Sequence, residues 1–169
     1  MTATSAEYAA FLFTDVVGST SLVYAIGDDA WRHLRGWHDR TMRTVFAVHG
    51  GEEIDNAGDG FFVAFAVPDA AISCAVDIQR TLARHRVEHG FAPQVRIGVH
   101  AGRAARLDAR FTGQAVVTAA RIGSTAGGGE ILVSRSTVAE TPGVAWFEPR
   151  LVQLTGIVDP VEVVSVSWD

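Results

Sequence analysis

Apolar and polar positions along this chain follow two rhythms, one with a helical period and one that alternates. Residues 11–15 are a short apolar run ending in Asp15, with Gly18-Ser19-Thr20 just beyond it. That order predicts a strand delivering the chain into a helix start, with the acid at the strand tip facing solvent or a ligand. From residue 28 to about residue 48, Trp31, Leu34, Trp37, Met42, Val45 and Phe46 recur at helical spacing with charges between them, and Gly50-Gly51 closes the helix. Residues 52–56 and 61–66 predict two short strands around Ala57-Gly58-Asp59-Gly60, whose glycines suit a hairpin turn with Asp59 on it. Residues 70–89 are helical again, and residues 94–100 alternate Val95, Ile97 and Val99 as a half-buried strand does.

The resulting order, βαββαβ, predicts an α+β fold: the split βαβ, ferredoxin-like plan, an antiparallel sheet core covered by flanking helices. In that plan the first strand lies beside the central hairpin, so Asp15 and Asp59 converge. A further helix over residues 112–126, a strand over 130–134 and a closing pair over 145–149 and 161–167 complete one expected domain, residues 1–169. Trp31 and Trp37 are expected in the core or a dimer contact. His33, His38, His49, His85 and His89 fall in or beside the helices and read as solvated, and His100 reads as structural near a strand end.

Composition narrows the class. With 169 residues, 48% hydrophobic and 20% charged, the chain can bury one sizeable core. Its net charge of -5 and the lack of a Lys/Arg stripe exclude a nucleic-acid backbone as partner. Cys74 is the sole cysteine, which excludes a disulfide framework and points to a reducing compartment. No apolar run is long enough to cross a bilayer, and residues 1–10 do not read as a signal peptide. The expected location is cytoplasmic, with no membrane partner.

Two aspartates at adjacent strand ends offer hard oxygen ligands for a divalent cation, with room for water and substrate phosphates. Spacing alone also allows both to be ordinary turn residues. The local strings add to that reading. Phe11-Leu-Phe-Thr-Asp15-Val-Val-Gly-Ser-Thr20 resembles the first metal motif of the class III adenylyl and guanylyl cyclases, and Asn56-Ala-Gly-Asp59-Gly-Phe-Phe62 resembles their second. Arg96-Ile-Gly-Val-His-Ala-Gly102 and Gly113-Gln-Ala-Val-Val-Thr-Ala-Ala-Arg121 are similar to two further segments of that family, in the same order. Gly50-Gly51-Glu52-Glu53-Ile54 looks like a diguanylate cyclase loop, but its context makes Glu52 and Glu53 residues that enter the second strand.

The resemblance implies a head-to-tail dimer with a nucleoside triphosphate, ATP ahead of GTP, and two Mg²⁺ or Mn²⁺ ions at each interface site. It assigns the metals to Asp15, Asp59 and the Val16 carbonyl. It assigns the triphosphate to the backbone amides of Val17, Gly18, Ser19 and Thr20 at a helix N-terminus. The groups expected from the opposite chain depart from the family pattern. Asp55 stands where a purine-reading lysine is expected, and Arg110 where the purine-reading acid is expected. An Asp55/Arg110 pair either contacts the base or closes into a salt bridge that fills the purine pocket; the second is favoured, because close opposite charges satisfy each other. The transition-state Asn and Arg align with Val117 and Arg121. Arg121 keeps the catalytic charge, whereas Val117 has no donor, and losing one such donor costs about 10²–10³ in rate. Thr155, before Gly156, replaces a lysine expected on the terminal phosphates.

Three readings follow. The first is a slow homodimeric cyclase that turns ATP into cAMP and pyrophosphate. The second is a degenerate cyclase-homology domain that binds nucleotide or a partner without turnover. In the third, the chain is the metal-binding half of a heterodimer.

Overall fold

The computed structural model describes residues 4–169. Residues 1–3, which open both the expected domain and the stretch read as carrying no signal peptide, lie outside the described residues. The elements are β1 (Ser5–Val16), α1 (Ser19–Ile26), α2 (Asp28–Val48), β2 (Glu52–Asp55), β3 (Phe61–Phe65), α3 (Pro68–His89), β4 (Val95–Leu107), β5 (Arg110–Thr112), α4 (Gln114–Thr125), β6 (Ile131–Ser134), α5 (Arg135–Val138), β7 (Trp146–Val152) and β8 (Val161–Val166). The sheet runs β2-β3-β1-β4-β6-β8-β7, with β5 paired on β4. Its first four strands, all antiparallel, realise the expected split βαβ plan.

β1 reads as a continuous apolar run because it is covered on both faces, which removes the alternation of a one-sided strand. Ala10, Leu12 and Val16 pack with Met42 and Phe46 of α2 and with Ile78 and Leu82 of α3. Ala9 and Phe11 turn to the opposite face and meet Phe111 of β5 and Ala115 and Ala119 of α4. Full burial of such an apolar side chain is worth about 1.5–3 kcal/mol, so the two layers fix β1 from both sides. Trp31 and Trp37 pack partly buried against the first of these layers, as expected.

Four features depart from the sequence reading. β1 and β4 are longer than the apolar runs suggested, pairing from Ser5↔Arg106 to Val16↔Val95; the start of β1 is largely exposed and the outer half of β4 mixes arginines with alanines, so neither carries a clear hydrophobic period. The sheet is not wholly antiparallel, since β4 and β6 run parallel, as the α4 crossover between them requires. His100 therefore lies within β4, not near a strand end, and its Nδ1 is 2.7 Å from the Ser134 hydroxyl. His38 is not solvated: it is 2% exposed, its ring tilts toward Phe61, and burial pulls its pKa down against the pull of Asp39. Its Nδ1 faces Asp39 at 3.1 Å, and its Nε2 has no partner among the described residues.

Candidate active site

Asp15 sits at the end of β1, where the strand leaves the core and the register sets it opposite Arg96 of β4. Asp59 reaches the same place on the β2–β3 turn. Gly58 at φ 62° permits that turn, and the Gly60 N–H closes it on the Ala57 carbonyl at 3.1 Å. A Cβ on Gly60 would lie 2.5 Å from the Thr14 carbonyl oxygen, so only glycine lets the hairpin press against β1. The Phe61 N–H donates to Thr14 Oγ1 at 3.3 Å and secures the contact.

The two carboxylates are close enough to shift each other's ionisation. Burial and the Asp59 carboxylate raise the Asp15 pKa, and Arg96 only partly offsets them. Burial also opposes ionisation of Asp59, but hydrogen bonds from Asp15, Ser19 and its own backbone hold its pKa below the usual value. Asp15 is therefore the harder of the two carboxylates to ionise. Two like charges this close favour a single proton between them or a cation beside them.

The next segment exposes amides. Gly18 adopts the left-handed region at the head of α1, which has no side-chain cap. Val17 is an exception among the amides assigned to phosphate, because its N–H already donates to the Gln94 carbonyl at 2.8 Å. Among the described residues, the N–H groups of Gly18, Ser19 and Thr20 have no backbone acceptor. Val16 ends β1 opposite Val95, with its side chain in the core.

The groups expected to act on the purine and the transition state are more scattered. A hollow of about 230 Å³ lies beside Asp15, lined by Asp55, Arg96, Ser124 and the aromatic rings Phe13 and Phe62, which stack at 4.5 Å. Arg110, on β5, is not among its lining residues. The expected Asp55–Arg110 salt bridge is absent among the described residues; Asp55 instead accepts the N–H of Asn56 at 2.9 Å. Arg110 is exposed, since its short edge strand carries it away from the hairpin. Val117 lies with Gly156 and Val158 around a second hollow, of about 580 Å³, and Thr155 is exposed at its border. Arg121, one helical turn beyond Val117, is exposed, and its guanidinium pairs with no described residue. Sequence reasoning missed Arg96 as a site residue. Its signal was its place in the segment opening Arg96-Ile-Gly, next to the inward Val95 and Ile97.

Comparison with known proteins identifies the family and the fold. Residues 1–145 match the adenylate and guanylate cyclase catalytic domain. An adenylate cyclase of Lachancea kluyveri is 29% identical over 171 residues, covering 85% of this chain and 9% of that protein. An uncharacterised protein of Mycobacterium tuberculosis is 32% identical over 146 residues, covering 80% of this chain and 47% of that protein. The chain thus spans less than half of either relative. In structure it is similar to the adenylyl cyclase CyaB from P. aeruginosa, with a TM-score of 0.87 at 22% identity over 98% of this chain and 96% of that one. The guanylyl cyclase Cya2 gives a TM-score of 0.87 at 24% identity over 96% and 93%; at these identities the likeness is one of fold. The match over most of its length, together with the paired strands that carry Asp15 and Asp59, places this chain in the class III adenylate and guanylate cyclase catalytic domain family.

Proposed function

We propose that residues 1–169 act as one cyclase domain that converts ATP to cAMP and pyrophosphate, slowly, at the interface of a head-to-tail dimer. The observation that carries this reading is the contact between Asp15 and Asp59 next to the unpaired amides of Gly18, Ser19 and Thr20. The donor set fits two divalent cations, Mg²⁺ or Mn²⁺: two adjacent hard carboxylates, with an arginine already balancing one of them. No cluster of three or more His, Cys, Asp or Glu occurs among the described residues, so substrate phosphates and water complete the shell. Bound cations supply Lewis-acid stabilisation and an acidified sugar hydroxyl.

The chain's own residues perform the rest. Asp15 and Asp59, with the Val16 carbonyl, hold the cations, and the free amides at the head of α1 bind triphosphate oxygens. Arg121, unpaired and exposed, is available to the opposite chain's phosphates as charge builds. Asp55 and the Phe13/Phe62 stack give the base one polar and one apolar contact, while Arg110 lies off that hollow. The preference for ATP rests on relatives named adenylate cyclases.

A second reading, a degenerate domain or the metal-binding half of a heterodimer, is favoured by the side chains around the Val117 hollow. Val117 lines it where a donor is expected, beside the apolar Ile157 and Val158. Cyclic-nucleotide production from ATP and from GTP with Mn²⁺ tests both readings. Product that disappears in Asp59→Ala supports a homodimeric cyclase. No product alone, but product after mixing with a cyclase domain that has the complementary Lys, Asn and Lys and lacks metal aspartates, supports the heterodimer.

A further inference from the structure

The ion pair between Asp15 and Arg96 is asymmetric. Arg96 donates from both Nε, at 3.2 Å, and Nη2, at 2.7 Å, to the same oxygen, Oδ2 of Asp15. Its remaining amino group, Nη1, donates to the Ser124 carbonyl at 3.1 Å, in the last turn of α4, where helix carbonyls lack intrahelical partners. An arginine that meets a carboxylate fork to fork gives one N–H to each oxygen. Here both converge on Oδ2, and Oδ1 is left on the Gly60 side, 3.7 Å from where a Gly60 Cβ would stand. The two oxygens of Asp15 therefore have different neighbours. Oδ1 faces the turn that carries Asp59, and Oδ2 is held by a guanidinium tied to α4.

We propose that Arg96 is a resident cation of the metal site, a positioning residue that occupies Asp15 Oδ2 and is exchanged for a divalent ion. This inference rests on the metal reading above. One ion can bind Oδ1 and Asp59 with Arg96 in place. A second ion that uses Oδ2 must displace the guanidinium, and doing so also releases the Ser124 carbonyl at the end of α4. Arg96 thus makes the second ion the weaker one and couples its entry to the helix that carries Arg121. Both partners are partly exposed, with side-chain exposures of 31% and 39%, so the exchange needs no opening of the core.

The test is Mn²⁺ binding alone, read from loss of the free-ion electron paramagnetic resonance signal at low ionic strength, in the wild type, Arg96→Gln, Arg96→Lys and Asp59→Ala. Arg35→Gln is the control for net charge, since Arg35 acts on Asp59 through space but pairs with Asp39 at 3.4 Å. The expected result is two classes of Mn²⁺ in the wild type, the weaker tightening roughly fivefold in Arg96→Gln, the scale of one partly exposed ion pair. Arg96→Lys should lie between, and Arg35→Gln should shift both classes equally and less. Thermal unfolding checks that each variant is folded. A weaker class that is unchanged or loosened in Arg96→Gln, while Asp59→Ala still abolishes binding, overturns the role of Arg96 and leaves the metal reading intact. No Mn²⁺ binding to any variant overturns both.

Discussion

The two halves of the candidate site are built in different ways. The half made by β1 and the β2–β3 turn sits at the ends of the interior strands β1 and β3, and its charges already have partners: Asp15 with Asp59 and Arg96, and Asp59 with Ser19. The half made by β5, α4 and the loop at Thr155 lies at the periphery, and Arg110 and Arg121 have no ion-pair partner among the described residues. A group held by its own chain is organised before anything binds. An unpaired arginine on an exposed face is organised only when a second chain or a ligand arrives. The first half is organised within the chain, and the second depends on what meets it.

The strongest way to break this contrast is to remove a carboxylate. Asp59→Ala should lower cyclase turnover by at least about 10³, because charge stabilisation worth several kcal/mol is lost with the cation, while thermal stability changes little at this exposed turn. Comparable turnover in the variant would dissolve the distinction between the halves. The next largest effect should come from repairing the other half. Val117→Asn restores a donor in the exposed first half of α4, and turnover should rise by up to about 10². An unchanged rate would mean that Asp55 or Arg110, not Val117, limits the reaction.

The better-organised half was also the more legible one. β1, α2, the β2–β3 hairpin and α3 follow apolar periods that survive because each element buries a face, and the approach of Asp15 to Asp59 followed from the topology. β5 is three residues long and α1 buries none of its residues, so neither leaves a hydrophobic pattern. His38 could have been placed correctly: it shares the buried stripe of α2 with Met42, Val45 and Phe46, and only its polarity hid it. The Asp15–Arg96 pair depends on a cross-strand register that one sequence does not display, and Arg110 was misplaced because a three-residue strand at the edge decides where it points.

Helix α4 joins the halves, and its position can be perturbed without touching a charged group. A Cβ on Gly98 would lie 2.2 Å from the Gly123 backbone nitrogen, so β4 and α4 approach backbone to backbone. Gly98→Ala must push α4 outward, at a cost of about 1–3 kcal/mol for overpacking, and in doing so separate Ser124 from Arg96. Thermal or denaturant unfolding reads the loss. A neutral variant would mean that α4 slides freely over the sheet, and the two halves would then be less firmly joined than this contact implies.

The smallest effect concerns the edge that carries Thr155. Glu130 lies at the root of β6 and accepts from Arg150 of β7 at 3.1 Å and from the Ser165 hydroxyl of β8 at 2.7 Å, tying down both strands that flank the Thr155 loop. Burial works to raise its pKa, but hydrogen bonds from Ser165, the Gly127 N–H and Arg150 outweigh it and hold the carboxyl below its ordinary value of 4.5. A carboxyl with a depressed folded-state pKa stabilises the fold above its unfolded pKa, and that contribution is lost as pH falls through the lower, folded value. Glu130→Gln should therefore lower stability near neutral pH and flatten the acid side of the stability profile, with the two proteins converging below the ordinary glutamate range. Unfolding midpoints taken from neutral pH down to about pH 3 check the sign. Convergence would mean that the peripheral half is held partly by a charge that titrates, whereas a constant gap at every pH would assign the role of Glu130 to packing and neutral hydrogen bonds.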